Sequence, residues 1–148
     1  MKFKIRTMKK GDKQDVLCMM EEFYKSEAVA TNGSFEIFEC DFENCVKTSP
    51  YLEGFIFEFE DTILGYAMIA KSFSTEFGKP CIWLEDLYLK PAYRGNGIIS
   101  RFITYVKDMY PDTIFKLEVE RENLHACHVY KKQGFEELPY CEMINFNN

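Results

Sequence analysis

The sequence predicts one mixed α/β domain, in which helices and strands follow one another along the chain. The chain has 148 residues, a length that suits a single compact domain, and 47% of them are hydrophobic, which is enough to build a core. Apolar residues recur at helical spacing in some segments and alternate with a period of two in others. No repeat or low-complexity linker divides the chain, so we expect residues 1–148 to form one domain.

The first third of the chain is predicted to be helical. Apolar residues at helical spacing indicate a first helix over Asp12–Tyr24, and Asp12 is a residue type that caps helix starts. A second helix is predicted over Phe35–Val46. It ends before Ser49 and Pro50, because proline disfavours helical geometry in the residue that precedes it.

Three strands are predicted in the middle of the chain. Phe55–Phe59 alternates between the two faces of a strand, and Ile63–Ala70 returns after a turn. The third strand, Ile82–Leu89, is unusual because it holds Glu85 and Asp86 among apolar residues.

The last third alternates between helix and strand. After the glycine-containing segment Arg94–Gly97 a helix is predicted to run to about Tyr110, and a strand follows over Ile114–Val119. A final helix is predicted over Asn123–Gln133. The tail, Phe135–Phe146, is predicted to contain one or two short strands.

Composition excludes several function classes. The formal net charge of −6 lacks the basic excess of a general nucleic-acid binder, so we expect no nucleic-acid partner. No apolar run approaches the ~20 residues that span a bilayer, so no membrane partner is expected either. The residues Met1–Arg6 lack the apolar core of a signal peptide, which predicts a cytoplasmic protein.

Cysteine and histidine spacing does not favour a metal site. The six cysteines form no Cys-x-x-Cys pair, and buried reduced thiols are the simpler interpretation. His125 and His128 would share a helix face with Cys127 nearby, but no further ligand lies at a familiar zinc spacing. We therefore expect no metal.

The segment Leu84–Ile98 predicts a strand, a glycine loop and a helix start. Backbone N–H groups and the positive end of a helix dipole converge where such a loop meets its helix, which suits a phosphate ligand. Gly95 and Gly97 allow close approach of the backbone. A dinucleotide fingerprint is disfavoured, because Ser100 stands where a further glycine is required.

This loop resembles the acetyl-CoA loop of the GCN5-related N-acetyltransferase superfamily, Gln/Arg-x-x-Gly-x-Gly/Ala. Arg94, Gly97 and their neighbours fit the pattern, whereas Ile99 stands where glycine or alanine is usual. A second block, from Asn123 through Ala126 and Tyr130 to Gly134-Phe135, falls at the offsets of the same superfamily. The resemblance covers nearly the whole chain. It implies a mostly antiparallel central sheet with helices on both faces, which begins with a strand at Phe3–Arg6.

The resemblance also implies a site for acetyl transfer to an amine. Glu85 would be the general base and Tyr130 the acid that protonates the departing thiolate. Residues implied to bind acetyl-CoA are Leu87, Tyr88, Leu89, Arg94, Gly95, Asn96, Gly97, Ile98, Ile99, Ser100, Asn123, Ala126 and Tyr130. The alternative for each is an ordinary core, cap or surface position.

A narrower resemblance points to the spermidine/spermine and related small-amine N-acetyltransferases. Leu84-Glu85-Asp86 matches their Leu-Glu-Asp strand, and Glu27 falls where that group contacts its amine. Glu27, Glu85 and Asp86 are therefore implied substrate contacts, and a homodimer is expected. Acetylation of a peptide or amino-acid amine, or a CoA-binding regulatory domain without catalysis, stays open.

Overall fold

The structure, a computed structural model, describes residues 2–148 and contains one five-stranded sheet. The strands lie in the order β1-β2-β3-β4-β5, antiparallel from β1 to β4, with β5 parallel to β4. Along the chain the elements are β1 Lys4–Thr7, α1 Lys13–Tyr24, α2 Phe35–Val46, β2 Leu52–Phe59, β3 Thr62–Ser74, β4 Lys79–Leu89, α3 Ile98–Met109, β5 Ile114–Leu117 and α4 Leu124–Lys132.

Helices cover both faces of the sheet, each over its own apolar cluster. On one face, called here the α3 face, Phe55, Phe57 and Leu84 pack against the buried side of α3. On the other, the α1 face, buried side chains of α1 and α2 pack against Tyr66 and Tyr88. The expected mixed, mostly antiparallel sheet with helices on both faces is confirmed.

Most predicted elements are present, with longer strands than the sequence indicated. The second helix has the predicted bounds, and β3 and β4 extend past their predicted ends into a long hairpin. The first helix begins one residue late. The expectation that Asp12 caps it is wrong, because the Asp12 carboxylate is bound by the Arg6 guanidinium and the Lys9 N–H.

The predicted strands in the C-terminal tail are also wrong. Residues 135–146 make no strand, although their apolar side chains are of the kind that strands favour. Pro139 lacks the N–H that a ladder needs. The Tyr140 hydroxyl instead donates to Glu76 at the tip of the β3–β4 hairpin (2.6 Å).

Candidate active site

Strands β4 and β5 separate halfway along β4. Their pairing runs from Cys81 opposite Ile114 to Leu84 opposite Leu117 and reaches no further among the described residues. From Asp86 to Leu89, β4 is paired with β3 alone. One edge of this half-strand therefore offers backbone N–H and C=O groups that an extended ligand can pair with.

Glu85 occupies a β-bulge at the point of separation. Met68 of β3 lies opposite Asp86, whereas the next residue, Ile69, lies opposite Leu84, so Glu85 is the extra residue in β4. A bulge bends its strand and increases the local twist. The bulge thus explains why β4 leaves β5 here and why two acidic residues lie between Leu84 and Leu87, which both pack on the α3 face.

Carboxyl groups from four segments gather around this bulge. Partial burial, with repulsion from Glu142 of the tail, raises the pKa of Glu85, although its side chain is exposed in the cleft. Burial also raises the pKa of Asp41 on α2 to about 6, with a further contribution from the charge of Glu85. A hydrogen bond with Glu142, together with burial and repulsion by Glu85, raises the pKa of Glu118 to about 7. The cleft is therefore acidic and suits a cationic ligand.

Asp86 is buried and held by two tyrosines. Its carboxylate accepts a hydrogen bond from the Tyr66 hydroxyl at 2.8 Å and another, on the other oxygen, from the Tyr24 hydroxyl at 3.1 Å. Burial raises the pKa of Asp86 to about 6, and the two hydrogen bonds oppose that rise. Because both oxygens have protein donors, this carboxylate is fixed in orientation.

A glycine loop joins β4 to the start of α3, in the order that the sequence predicted. Gly95 and Gly97 have φ of 81° and 72°, in the left-handed region that favours glycine. Gly97 is the residue before α3, and the first hydrogen bond within the helix is from Arg101 N–H to the Gly97 carbonyl. The N–H groups of Ile98, Ile99 and Ser100 precede that bond and point out of the helix start, so they are available to an anion.

Side chains around this loop divide between core and cleft. Ile98 is fully buried, and Ile99, at the position that departs from the superfamily pattern, packs against the same cluster. The Asn96 side chain donates to the Tyr93 carbonyl at 3.0 Å and stiffens the turn. Ser100 is half-buried in the first turn of α3. These contacts hold the loop against the apolar cluster of the α3 face.

Arg94 lies across the end of β4. Its Nε donates to the Leu89 carbonyl at 3.0 Å, and its guanidinium carbon lies 5.8 Å from the centre of the Tyr88 ring. Leu89 and the half-buried Leu87 face the α3 cluster, while Tyr88 belongs to the α1 face. Arg94 is exposed at the loop, where an anion can reach its guanidinium.

Helix α4 brings Tyr130 against the same core. Asn123 caps the helix, because its side-chain oxygen accepts from the Ala126 N–H at 3.3 Å. Tyr130 is half-buried and packs on the α3 face together with Leu87 and Phe135. Burial raises the pKa of Tyr130 to about 12, so its hydroxyl keeps its proton at physiological pH.

The structure gathers most of the predicted site residues but leaves Glu27 apart. Glu27 is exposed in the loop between α1 and α2, with no hydrogen bond or ion pair to the other residues described. Its contact with a substrate stays a prediction. Across residues 2–148, no group of three or more His, Cys, Asp or Glu side chains is arranged to hold a metal ion, and no helix is long and apolar enough to cross a membrane.

Comparison with known proteins decides the family. Residues 17–135 match the model of the acetyltransferase (GNAT) family, a span that includes both the glycine loop and Tyr130. The chain belongs to the GNAT family. It is an acetyl-CoA-dependent N-acetyltransferase, as the resemblance implied, and the two glycines and the open edge of β4 fit that co-substrate.

Relatives of this GNAT chain include enzymes and solved structures. Thialysine N-epsilon-acetyltransferase of Sus scrofa is 30% identical over 154 residues, which cover 93% of this chain and 86% of the relative. A predicted acetyltransferase with acetyl-CoA from Clostridium acetobutylicum has a TM-score of 0.79 at 20% identity, over 97% of this chain and 96% of its own. AAC(6')-Iy in complex with a bisubstrate analogue has a TM-score of 0.78 at 17% identity, over 100% of both chains.

Three features of the site were not found from the sequence. The tyrosines of the Asp86 site, Tyr24 and Tyr66, fall in a helix and a strand whose apolar periodicity assigned them to the core. Asp41 lies in a helix turn whose orientation toward β4 the sequence does not give. The alternation of β3 and β4 places Tyr66 and Asp86 on one face of the hairpin. This alternation is the sequence signal from which the pair could have been found.

Proposed function

We propose that this GNAT acetylates the primary amine of a small acceptor, such as a polyamine, by direct attack within a ternary complex. The observation that carries the proposal is the gathering of carboxyl groups where β4 leaves β5. Glu85, Asp41 and Glu118 lie around the end of the open β4 edge, and the charge of Glu85 contributes to the raised pKa of both Asp41 and Glu118. An ammonium group that enters this cleft leaves part of its hydration water and is attracted by the carboxylates.

The chain offers acetyl-CoA two kinds of backbone contact. The half-strand Leu87–Leu89 presents its free edge to the pantetheine arm, and the α3 start at Ile98–Ser100 presents N–H groups to the pyrophosphate. Arg94 adds positive charge at the mouth of the loop. This arrangement directs the thioester toward the bulge, where Glu85 lies.

Glu85 and Tyr130 then take part in different proton transfers. Glu85, directly or through water, takes a proton from the ammonium group, and its raised pKa suits a base that works near neutral pH. The free amine nitrogen forms a bond to the acetyl carbon as the carbon–sulfur bond breaks. Tyr130 donates its phenolic proton to the CoA sulfur, and burial keeps that proton in place beforehand. The nitrogen of the new amide releases its second proton to the Tyr130 phenolate, directly or through water, which restores the phenol.

The relatives favour a small acceptor. The names of the Sus scrofa relative and of AAC(6')-Iy's complex refer to thialysine and to an acetylneamine analogue, both small amines. One feature favours an amino-acid acceptor as the second candidate. An open groove of about 610 Å³ between α1 and the end of β4 is lined by the cationic side chains of Lys25, Lys90 and Arg94 and by the carboxyl groups of Asp15 and Glu22. Such a mixed lining suits an acceptor that carries both an ammonium group and a carboxylate.

Turnover of acetyl-CoA with a panel of acceptors tests the proposal. Release of free thiol would be measured with spermidine, putrescine, lysine, thialysine, an aminoglycoside and a short peptide, each over a concentration series. We expect the highest kcat/KM for polyamines or diamines. The highest value for lysine or thialysine would favour the amino-acid acceptor, and the highest value for the peptide would overturn a small-molecule acceptor. Acetyl-CoA binding without turnover on any acceptor would support the regulatory alternative.

Two further parts of the proposal concern the state of the protein. We infer a single domain over residues 1–148 that assembles as a homodimer, because the tail exposes Met143 (92%) and Ile144 (76%), and such apolar surface favours an interface. We also infer a cytoplasmic location, since all six cysteines are unpaired. Light scattering at several concentrations tests the dimer, and a monomer at 0.1 mM would exclude it.

A further inference from the structure

The tyrosine pair on Asp86 links three elements of the fold. Tyr24 is the last residue of α1, Tyr66 lies in the middle of β3, and Asp86 belongs to β4. Tyr66 is fully buried and Asp86 is 5% exposed, so the bond between them is shielded from water, and the bond from the half-buried Tyr24 is partly shielded. Shielded hydrogen bonds to a charged group fix geometry more strongly than exposed ones do.

Tyr24, Tyr66 and Asp86 are called here the Asp86 triad. Asp86 and Tyr24 each lie next to a proposed acceptor-binding feature. Asp86 follows Glu85 directly and lies opposite Met68, so a fixed Asp86 sets where the bulge projects Glu85. Tyr24 precedes the loop that carries Glu27. The Tyr24 ring also packs 5.0 Å from the Phe38 ring of α2, which closes the far end of that loop.

The charges around Asp86 oppose its ionised form. Burial is the main cause of the raised pKa of Asp86, and Asp41 from α2 and Glu85 on β4 also repel a negative charge on Asp86. Only the hydroxyls of Tyr24 and Tyr66 act in the other direction. Glu85 in turn faces Glu142 of the tail, and Glu118 beyond β5 is affected by both. Removal of one tyrosine hydroxyl therefore lets Asp86 take up a proton at higher pH.

We propose that Tyr24 and Tyr66 are positioning residues of acetyl transfer, which hold the Asp86 carboxylate ionised and oriented so that the Glu85 bulge and the Glu27 loop meet the amine correctly. The proposal rests on the proposed function of the same cleft. It assigns neither tyrosine a contact with the reacting atoms. It goes further in assigning the two phenol hydroxyls a role in amine binding and in the pH dependence of the reaction.

The test compares Tyr66→Phe and Tyr24→Phe with Tyr51→Phe, a control at an exposed position. For each variant, kcat and KM for the best amine, acetyl-CoA affinity, thermal stability and the pH profile of kcat/KM would be measured. Carbon-13 NMR of aspartate-labelled protein would follow the Asp86 carboxyl during titration, with Asp86→Asn used to assign its signal. This last measurement does not depend on turnover.

We expect Tyr66→Phe to raise the pKa of Asp86 and to move the acid limb of kcat/KM to higher pH by about one unit, which is about a tenfold loss at low pH. Tyr24→Phe, in the half-buried member of the triad, should raise the amine KM with acetyl-CoA affinity unchanged. Lower stability with an unmoved acid limb and an unchanged amine KM in both variants would overturn the proposal. Wild-type protein without turnover on any amine would instead overturn the proposed function, and the NMR titration would then show separately whether the triad controls Asp86.

Discussion

The rings of Tyr130 and Phe135 meet edge to face, with their centroids 6.0 Å apart. The Phe135 N–H also donates to the Tyr130 carbonyl at 3.1 Å, across the turn that Gly134 allows with φ of 92°. Tyr130 is therefore held by the end of its own helix as well as by the core. The position of the Tyr130 ring does not depend on its hydroxyl. Removal of the hydroxyl alone should therefore affect catalysis and leave the packing of the ring unchanged.

Tyr130→Phe should lower kcat sharply and leave the fold intact. The ring keeps its packing, but the proton donor for the CoA sulfur is lost, and a positioned acid contributes about 10²–10⁴-fold. Steady-state kinetics with the best amine, together with calorimetric titration of acetyl-CoA, would measure the effect. We expect acetyl-CoA affinity within about twofold of wild type. Unchanged turnover would remove Tyr130 from the mechanism.

Glu85→Gln should lower kcat/KM by about 10²-fold and alter its acid limb. Burial raises the pKa of Glu85, so the carboxylate form that accepts a proton is lost as pH falls through that raised value. In wild type the acid limb should therefore lie above the ordinary glutamate range of about 4.3. The exposed Glu136→Gln is a matched control that should keep the wild-type profile. An identical acid limb in Glu85→Gln would indicate another base.

Local sequence patterns were sufficient for most of the fold. The predicted bounds of Phe35–Val46 agree with the structure, in which Ser34 caps the start of the helix and the Ser49-Pro50 pair follows its end closely. The glycine loop was predicted because Gly95 and Gly97 lie between a strand pattern and a helix pattern, and the structure shows both glycines in the left-handed conformation. The tail was mispredicted because strand propensity says nothing about whether a partner edge is within reach.

The candidate site was predictable only where a motif or a residue's own chemistry defined it. Glu85 stood out as a charge in an apolar strand, but its place in a bulge depends on the register of β4 against β3. The triad depends on three segments that are up to 62 residues apart in the chain, and no local pattern links them. Long-range pairing of this kind is a property of the packed sheet.

Gly97→Ala should weaken acetyl-CoA binding beyond its effect on stability. A Cβ at Gly97 meets no other atom within 4 Å, so the penalty comes from its φ of 72°, and it is about 1–3 kcal/mol. Gly78→Ala, in the β3–β4 turn at φ 63° with the same open surroundings, is a matched control. Thermal unfolding should fall similarly in both variants. Only Gly97→Ala should raise the acetyl-CoA Kd, by about tenfold; equal Kd values would mean that the loop does not hold the pyrophosphate.

Asp12→Asn should destabilise the fold by about 2 kcal/mol at pH 7, and the difference should shrink in acid. The Arg6 guanidinium binds both Asp12 oxygens, at 2.8 and 2.9 Å, and mainly this pairing lowers the pKa of Asp12. A lowered pKa means that the stabilisation is complete above the unfolded value of about 3.9 and disappears as pH falls through the folded value.

Urea unfolding at pH 7 and pH 3 would measure this difference. Asp112→Asn is the control, because Asp112 pairs with Lys79 on the surface, where solvent screens the charges, and no measurable change is expected at either pH. A constant difference between wild type and Asp12→Asn at both pH values would mean that the Asp12 side chain stabilises the turn by its shape. The charge of the Arg6 pair would then have no part in it.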